Sequence, residues 1–134
     1  MNDIGKHVLA DLHGVDPAIL ANEQALMNLV WSALVRAQFT IVDQLSFTFP
    51  GGGAGVTGVF LLSESHAAFH TYPEIPYMAL DIFSCGTADP EVALAHMTKV
   101  LQPQMLTTTI ERRGKNCRPQ MTAPFDHQLA YAAS

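Results

Sequence analysis

The sequence predicts an α+β fold: a two-layer sandwich in which an antiparallel sheet carries two helices on one face and uses its other face in dimerisation. Three observations predict it. Apolar residues follow strand and helix periods in the order β-α-β-β-β-α-β. Both helical stretches open on the same pair, Asp16-Pro17 and Asp89-Pro90. Finally, 49% of the 134 residues are apolar and only 14% are charged, an excess that a buried oligomeric face would absorb. The length suits a single domain over residues 1–134.

Residues 6–14, KHVLADLHG, read as a first strand with Val8, Ala10 and Leu12 on one face. Asp16 then suits a helix cap and Pro17 the first helical position. The helical pattern runs to about Gln38 with a break near Asn22. Leu26, Val30, Ala33 and Ala37 make one stripe; Met27, Trp31 and Leu34 make an adjacent one, so both are expected in the core. TIVDQLSFTF (40–49) alternates Leu45, Phe47 and Phe49 against Gln44, Ser46 and Thr48, as a half-buried strand does. PGGGAG (50–55) is a loop, without the lysine of a P-loop or the spacing of a dinucleotide fingerprint.

VTGVFLLSES and AAFHTYP read as a strand pair, or as one strand with a break. YMALDIFSCG (77–86) is apolar at nearly every position, which predicts a strand covered on both faces. A second helix runs from Asp89-Pro90 to about Leu101 with Ala93, Met97 and Leu101 inward. MLTTTIERRG is a last strand, and the tail 116–134 has no clear period.

Bulk properties exclude several functions. A net charge of −5 is wrong for binding nucleic acid, and Arg112-Arg113-Gly114-Lys115 reads as a solvated strand end. No apolar run reaches the roughly 18 residues of a membrane span, and the charged start MNDIGKHVLADLHG is unlike a signal peptide. Two cysteines, Cys85 and Cys117, are too few for a disulfide scaffold. A cytoplasmic protein with free thiols is expected.

The chemistry concentrates in LLSESHAAFHTYPE (61–74). His66 and His70, four apart, would meet on a helix but not on a strand, which argues against a zinc pair; a site borrowing Cys85 and Cys117 stays open. Ser65 with His70 could form a hydrolytic dyad, yet SESHA lacks the glycines of a nucleophile elbow. The third reading is backbone self-cleavage. The Ser65 hydroxyl attacks the Glu64 carbonyl to give an ester, and β-elimination then leaves a pyruvoyl group at the new N-terminus. Such chemistry wants a strained link, a hydroxyl donor and a histidine base, which Ser65, Thr57 and His70 could supply.

GKHVLADLHGVDP, GVTG, SESHAAFHTYPE and ALDIFSCG, in this order, resemble the prokaryotic S-adenosylmethionine decarboxylase proenzymes over residues 5–114. The resemblance implies a self-processing, pyruvoyl-dependent carboxy-lyase for spermidine biosynthesis. The cut would fall between Glu64 and Ser65, giving a β chain of 1–64 and an α chain of 65–134. Ser65 becomes the pyruvoyl cofactor that forms the Schiff base with substrate, His70 serves processing, and Thr57 stands where the family has a serine that polarises the scissile carbonyl. Cys85 matches the proton donor, a task open to a thiol because thiols are mostly protonated at neutral pH. Glu74 matches the carboxylate that binds ribose hydroxyls, with Phe49 and Tyr72 as stacking surfaces for adenine. No metal is expected. The partners implied are a small-molecule substrate and a second processed αβ unit, with both active sites at the dimer interface.

Two features depart from the family. The loop PGGGAGVTG is longer and richer in glycine than the usual SPHGVSG, with Ala54 in place of its histidine, and Tyr72 stands where tryptophan is common. Both lie where the nucleoside would bind. The same chemistry on L-ornithine or L-arginine is therefore an alternative, and an unprocessed regulatory paralogue is another.

Overall fold

The computed structural model describes residues 3–117; most of the tail 116–134 lies outside the described residues. Six strands form one antiparallel sheet: β1 (Gly5–His13), β2 (Ile41–Thr48), β3 (Val56–Leu62), β4 (Ser65–Tyr72), β5 (Tyr77–Ser84) and β6 (Met105–Arg113). Their spatial order is β2-β3-β4-β5-β1-β6, so β1 joins the β3–β4–β5 meander to the edge strand β6. Three helices accompany them: α1 (Pro17–Leu20), α2 (Glu23–Arg36) and α3 (Pro90–Leu101).

The helix starts follow from their caps. Asp16 accepts a hydrogen bond from the Ala18 amide at 3.0 Å and Asp89 one from the Glu91 amide at 2.9 Å, with proline at the first position of each helix. The long helical stretch expected over 17–38 is two helices, because Asn22 recaps the chain by accepting from the Ala25 amide at 3.0 Å. α2 and α3 then pack side by side on one face of the sheet.

That face is the core. Val8, Ala10 and Leu12 of β1, Phe60 of β3, Phe69 of β4 and Ile82 of β5 all close against the helices. Leu26, Val30, Ala33 and Ala37 of α2 meet them, as do Ala93, Met97 and Leu101 of α3. Thr71, a buried hydroxyl, accepts from the Val56 amide at 2.8 Å and donates to the Leu20 carbonyl at 2.7 Å, tying α1 to the sheet. Among the described residues, no buried side-chain nitrogen or oxygen lacks a partner.

Three expectations are corrected. Trp31 is 48% exposed rather than core; at 100° per residue it lies roughly 100° from the centre of the buried stripe of α2. On β2, Leu45 and Phe47 point outward, as does Phe49 just beyond it, while Ser46 and Thr48 turn toward α2 and donate to the Glu23 carboxylate. Those bonds hold the Glu23 carboxyl below its usual range. The period of two was right, but the apolar side is the helix-free face. β5 is closed on its helix face alone; its other residues, Tyr77, Ala79, Asp81 and Phe83, are only partly covered in one chain.

None of the described helices is long and apolar enough to cross a membrane. On the helix-free face the Tyr77 hydroxyl donates to Asp11 at 2.5 Å, a bond that together with burial pushes the phenol up to about 12. Because the folded value lies above the unfolded one, stability from this bond is complete below pH ~10 and is lost as the pH rises through about 12. A spectroscopic alkaline titration should therefore show one of the three tyrosines ionising late, and Tyr77→Phe should remove that phase.

Candidate active site

β3 and β4 form a hairpin whose turn is only Ser63 and Glu64, between the paired Leu62 and Ser65. Two-residue hairpins need positive φ, normally supplied by Gly or Asn. Here Glu64 takes that role at φ 58°. A side chain with a Cβ pays about 1–2 kcal/mol for the left-handed region, so strain sits on the residue before Ser65.

Cys85, just beyond β5, holds both sides of this link. Its thiol donates to the Glu64 carbonyl at 2.8 Å, and its amide donates to Ser65 Oγ at 3.4 Å. Ser84 fixes the approach, donating to the Ala88 carbonyl at 2.6 Å and accepting from the Gly86 amide at 3.4 Å. A polarised carbonyl, a strained residue and a hydroxyl are thus assembled at one end of the sheet. Beside them opens a cavity of about 540 Å³ that includes Lys6, Cys85, Asp89 and Arg112. Lys6 pairs with Glu91 and Asp89, which raise its pKa.

The remaining sequence candidates meet elsewhere. Thr57 pairs with His70 across β3 and β4, its Oγ1 lying 3.0 Å from His70 Nδ1. Both line a cavity of about 510 Å³ together with Phe49, Tyr72 and Glu74. The glycine-rich loop forms its rim. Gly53 beside Glu74 sits at φ 86°, a left-handed conformation that explains the glycine. Tyr72 stacks on Tyr77, with ring centroids 5.6 Å apart.

Ser65, Thr57 and His70 are therefore not one cluster within a chain. Ser65 and His70 are five residues apart on β4, roughly 17 Å at the rise of an extended strand. His66 and His70 are likewise held apart by about 13 Å on the same strand, too far for a shared metal. The single chain carries two separated half-sites, Glu64–Ser65–Cys85 and Phe49–Thr57–His70–Tyr72–Glu74.

The sequence reading missed one group of side chains. Asp81 Oδ1 lies 3.0 Å from His7 Nε2 and 3.1 Å from His66 Nε2, next to the strained turn. A lone acid in the apolar run YMALDIFSC was the available signal.

Comparison with known proteins fits this geometry. The family model for S-adenosylmethionine decarboxylase matches residues 6–114. The S-adenosylmethionine decarboxylase proenzyme of Caldicellulosiruptor saccharolyticus is 34% identical over 115 residues, covering 85% of this chain and 91% of that protein. Its counterpart from Caldanaerobacter subterraneus subsp. tengcongensis is 31% identical over 126 residues, 93% of this chain and all (100%) of the relative. The crystal structure of the adenosylmethionine decarboxylase from Aquifex aeolicus superposes with a TM-score of 0.77 at 30% identity, covering 85% of this chain and 93% of that one. The Trypanosoma brucei AdoMetDC-delta26 monomer shares the fold, with a TM-score of 0.60 at 9% identity over 78% of this chain and 45% of its own.

Glu64 gives a direct test of the strained turn. In a Ser65→Ala background, which keeps the link intact, Glu64→Gly should raise stability by about 0.5–1 kcal/mol in urea unfolding. An unchanged or lower midpoint would mean that the turn is relaxed.

Proposed function

This chain belongs to the S-adenosylmethionine decarboxylase family, and from that premise we propose that it cleaves itself between Glu64 and Ser65 and decarboxylates S-adenosylmethionine. The product, decarboxylated S-adenosylmethionine, would serve as aminopropyl donor for spermidine. One observation carries the reading: the Glu64–Ser65 link is strained and gripped from both sides by Cys85.

Cleavage follows from that arrangement. Ser65 Oγ attacks the Glu64 carbonyl carbon, and the oxygen that gains negative charge already accepts from the Cys85 thiol. The C–N bond breaks, the amine takes the proton, and an ester joins the Ser65 oxygen to Glu64. A base then removes the Ser65 α-proton, and β-elimination expels the Glu64 carboxylate. The remaining enamine tautomerises, and water releases ammonia to leave the pyruvoyl group. Relief of the left-handed Glu64 conformation favours the first step.

The base and a second hydroxyl donor come from another molecule. His70 and Thr57 lie too far along their own strands to reach Ser65 in the same chain, whereas a twofold-related copy can bring one half-site onto the other. The active unit is then a homodimer with two composite sites, in which His70 and Thr57 of the partner subunit serve Ser65. The apolar, helix-free face with Leu45, Phe47, Val59 and Leu61 exposed supports this assembly.

The residues present fit a pyruvoyl group: Ser65 provides its atoms and the turn provides the strained precursor. Once formed, that group supplies a ketone that condenses with the substrate amine and draws electrons from the breaking carboxylate bond. Cys85 stands beside it to return a proton to Cα. Glu74 accepts hydrogen bonds from the two ribose hydroxyls. Phe49 and Tyr72 flank the adenine and the sulfonium, which aromatic faces favour. This aromatic, acid-bearing cavity suits a nucleoside better than L-ornithine or L-arginine, so the glycine-rich loop and Tyr72 remain compatible with the family's substrate.

Intact-mass measurement of fresh protein should give two chains, 1–64 and 65–134, with a hydrazine-reactive carbonyl on the second. Ser65→Ala should stay in one piece. Carbon dioxide should be released from carboxyl-labelled S-adenosylmethionine; release from ornithine or arginine alone would overturn the substrate assignment. Composite sites predict complementation: Cys85→Ala and His70→Ala chains, each inactive alone, should regain about a quarter of wild-type activity when co-expressed, since half the dimers then hold one intact site. No recovery would place each site within a single chain.

A further inference from the structure

Self-cleavage raises a mechanical problem. Before it, Ser65 is held by a covalent bond on either side. Afterwards, residue 65 is a chain terminus, and the group made from it has no amide N–H to give to the ladder opposite Leu62. Strand ends fray unless something ties them down. The reacting atom would sit on that end.

Its first intact neighbour is His66, whose side chain does not simply face solvent. The His66 ring stacks on Phe83 with centroids 5.8 Å apart, and its Nε2–H donates to Asp81 Oδ1 at 3.1 Å. The same oxygen accepts from His7 Nε2–H at 3.0 Å. Beyond it, Arg113 donates to His7 Nδ1 at 3.1 Å. Because a guanidinium has no acceptor, this last bond requires His7 Nδ1 to accept and puts the ring proton on Nε2. The orientation of every bond is therefore set: Arg113 to His7, His7 to Asp81, His66 to Asp81. Packing supports the chain as well, since Arg113 also lies over Phe83, 5.7 Å from the centroid. Gly5 leaves room for that ring; a Cβ there would meet it at 2.6 Å.

Two histidines and an aspartate could also be read as a metal site, their donor atoms all lying within 4.8 Å of one another. The surroundings have the wrong polarity for that. A metal-bound histidine usually donates its second N–H outward, to a carboxylate or carbonyl. His7 instead accepts there from a cation.

We infer that the His7–Asp81–His66 network is a clamp that holds the new N-terminus of the α chain in place after the backbone is cut. Asp81, His66 and His7 are positioning residues, and they act on the cofactor-bearing end through the His66 side chain. This inference rests on the cleavage described above. Its consequence is conditional: the network should matter in the cleaved protein and be nearly dispensable while the Glu64–Ser65 link is whole.

Hydrogen exchange read by mass spectrometry tests that condition. In cleaved Asp81→Ala, the amides of residues 66–68 should lose about tenfold or more of their protection relative to cleaved wild type. In uncleaved Ser65→Ala, adding Asp81→Ala should change them little. Intact mass should show that Asp81→Ala still cuts and carries its hydrazine-reactive carbonyl. Its kcat should nevertheless fall by roughly ten- to a hundredfold with KM moving less, as a displacement near 1 Å can cause. Asp81→Asn, which keeps an oxygen for both rings, should recover most of it. His66→Ala should behave like Asp81→Ala, and the double variant should be no worse than either.

Equal protection in cleaved wild type and cleaved Asp81→Ala would overturn the clamp. So would an equal loss in the uncleaved pair, which would mark an ordinary structural role, or a folded Asp81→Ala that fails to cut. A wild-type chain that never cuts would instead remove the cleavage reading, and the clamp with it.

Discussion

Two helices packed side by side cover only one face of a six-stranded sheet. From that constraint the rest of this molecule follows. Strand side chains alternate, so each of β1, β3, β4 and β5 commits every second residue to the helix-side core and the others to the open face. The open face carries many of the candidate residues: His7 on β1, Thr57 on β3, His66, His70 and Tyr72 on β4, Asp81 on β5. Phe60, Phe69 and Ile82 on the other face supply the burial that keeps these strands in register. A slip by one residue would exchange the two sets. Stability and function are thus coupled through register rather than through any shared residue.

The same sheet explains why one chain holds two half-sites. A strand is stiff and rises about 3.3 Å per residue, so residues separated by five positions cannot share a reacting atom. The chain places its strained turn at one end of the β3–β4 hairpin and the cavity lined by Phe49, Tyr72 and Glu74 at the other. In the proposed dimer, a twofold axis across the open face would join unlike ends while burying apolar residues that the helices leave uncovered. That assembly would cover the outward-facing Leu45 and Phe47 of β2.

The turn itself illustrates how strain is made useful. A two-residue hairpin forces one left-handed residue, and the chain puts glutamate there instead of glycine. The cost is carried by the antiparallel ladder on both sides and by the Cys85 contacts to Glu64 and Ser65. The proposed cut would relieve that strain and free the end that carries residue 65. The hydrogen-bonded trio around Asp81 lies beside that end, through His66.

Much of this was legible in the sequence, for local reasons. Asp-Pro pairs start helices because an orphan amide needs an acceptor and proline needs no donor; alternation marks strands because the pleat has period two. The ordered motifs from Gly5 to Gly86 carried the family. What the residues could not disclose were the distances between them. Thr57, Ser65 and His70 look adjacent in a line of text, yet an extended strand parts Ser65 from His70, while pairing across the hairpin brings Thr57 and His70, thirteen positions apart, to within 3.0 Å. Which side of β2 faces the helices, and that Trp31 lies outside the core, depended on where α2 settled. The meeting of His7, His66 and Asp81 is non-local in the same way, since β1, distant in sequence, must pair with β5 in register before His7 reaches Asp81.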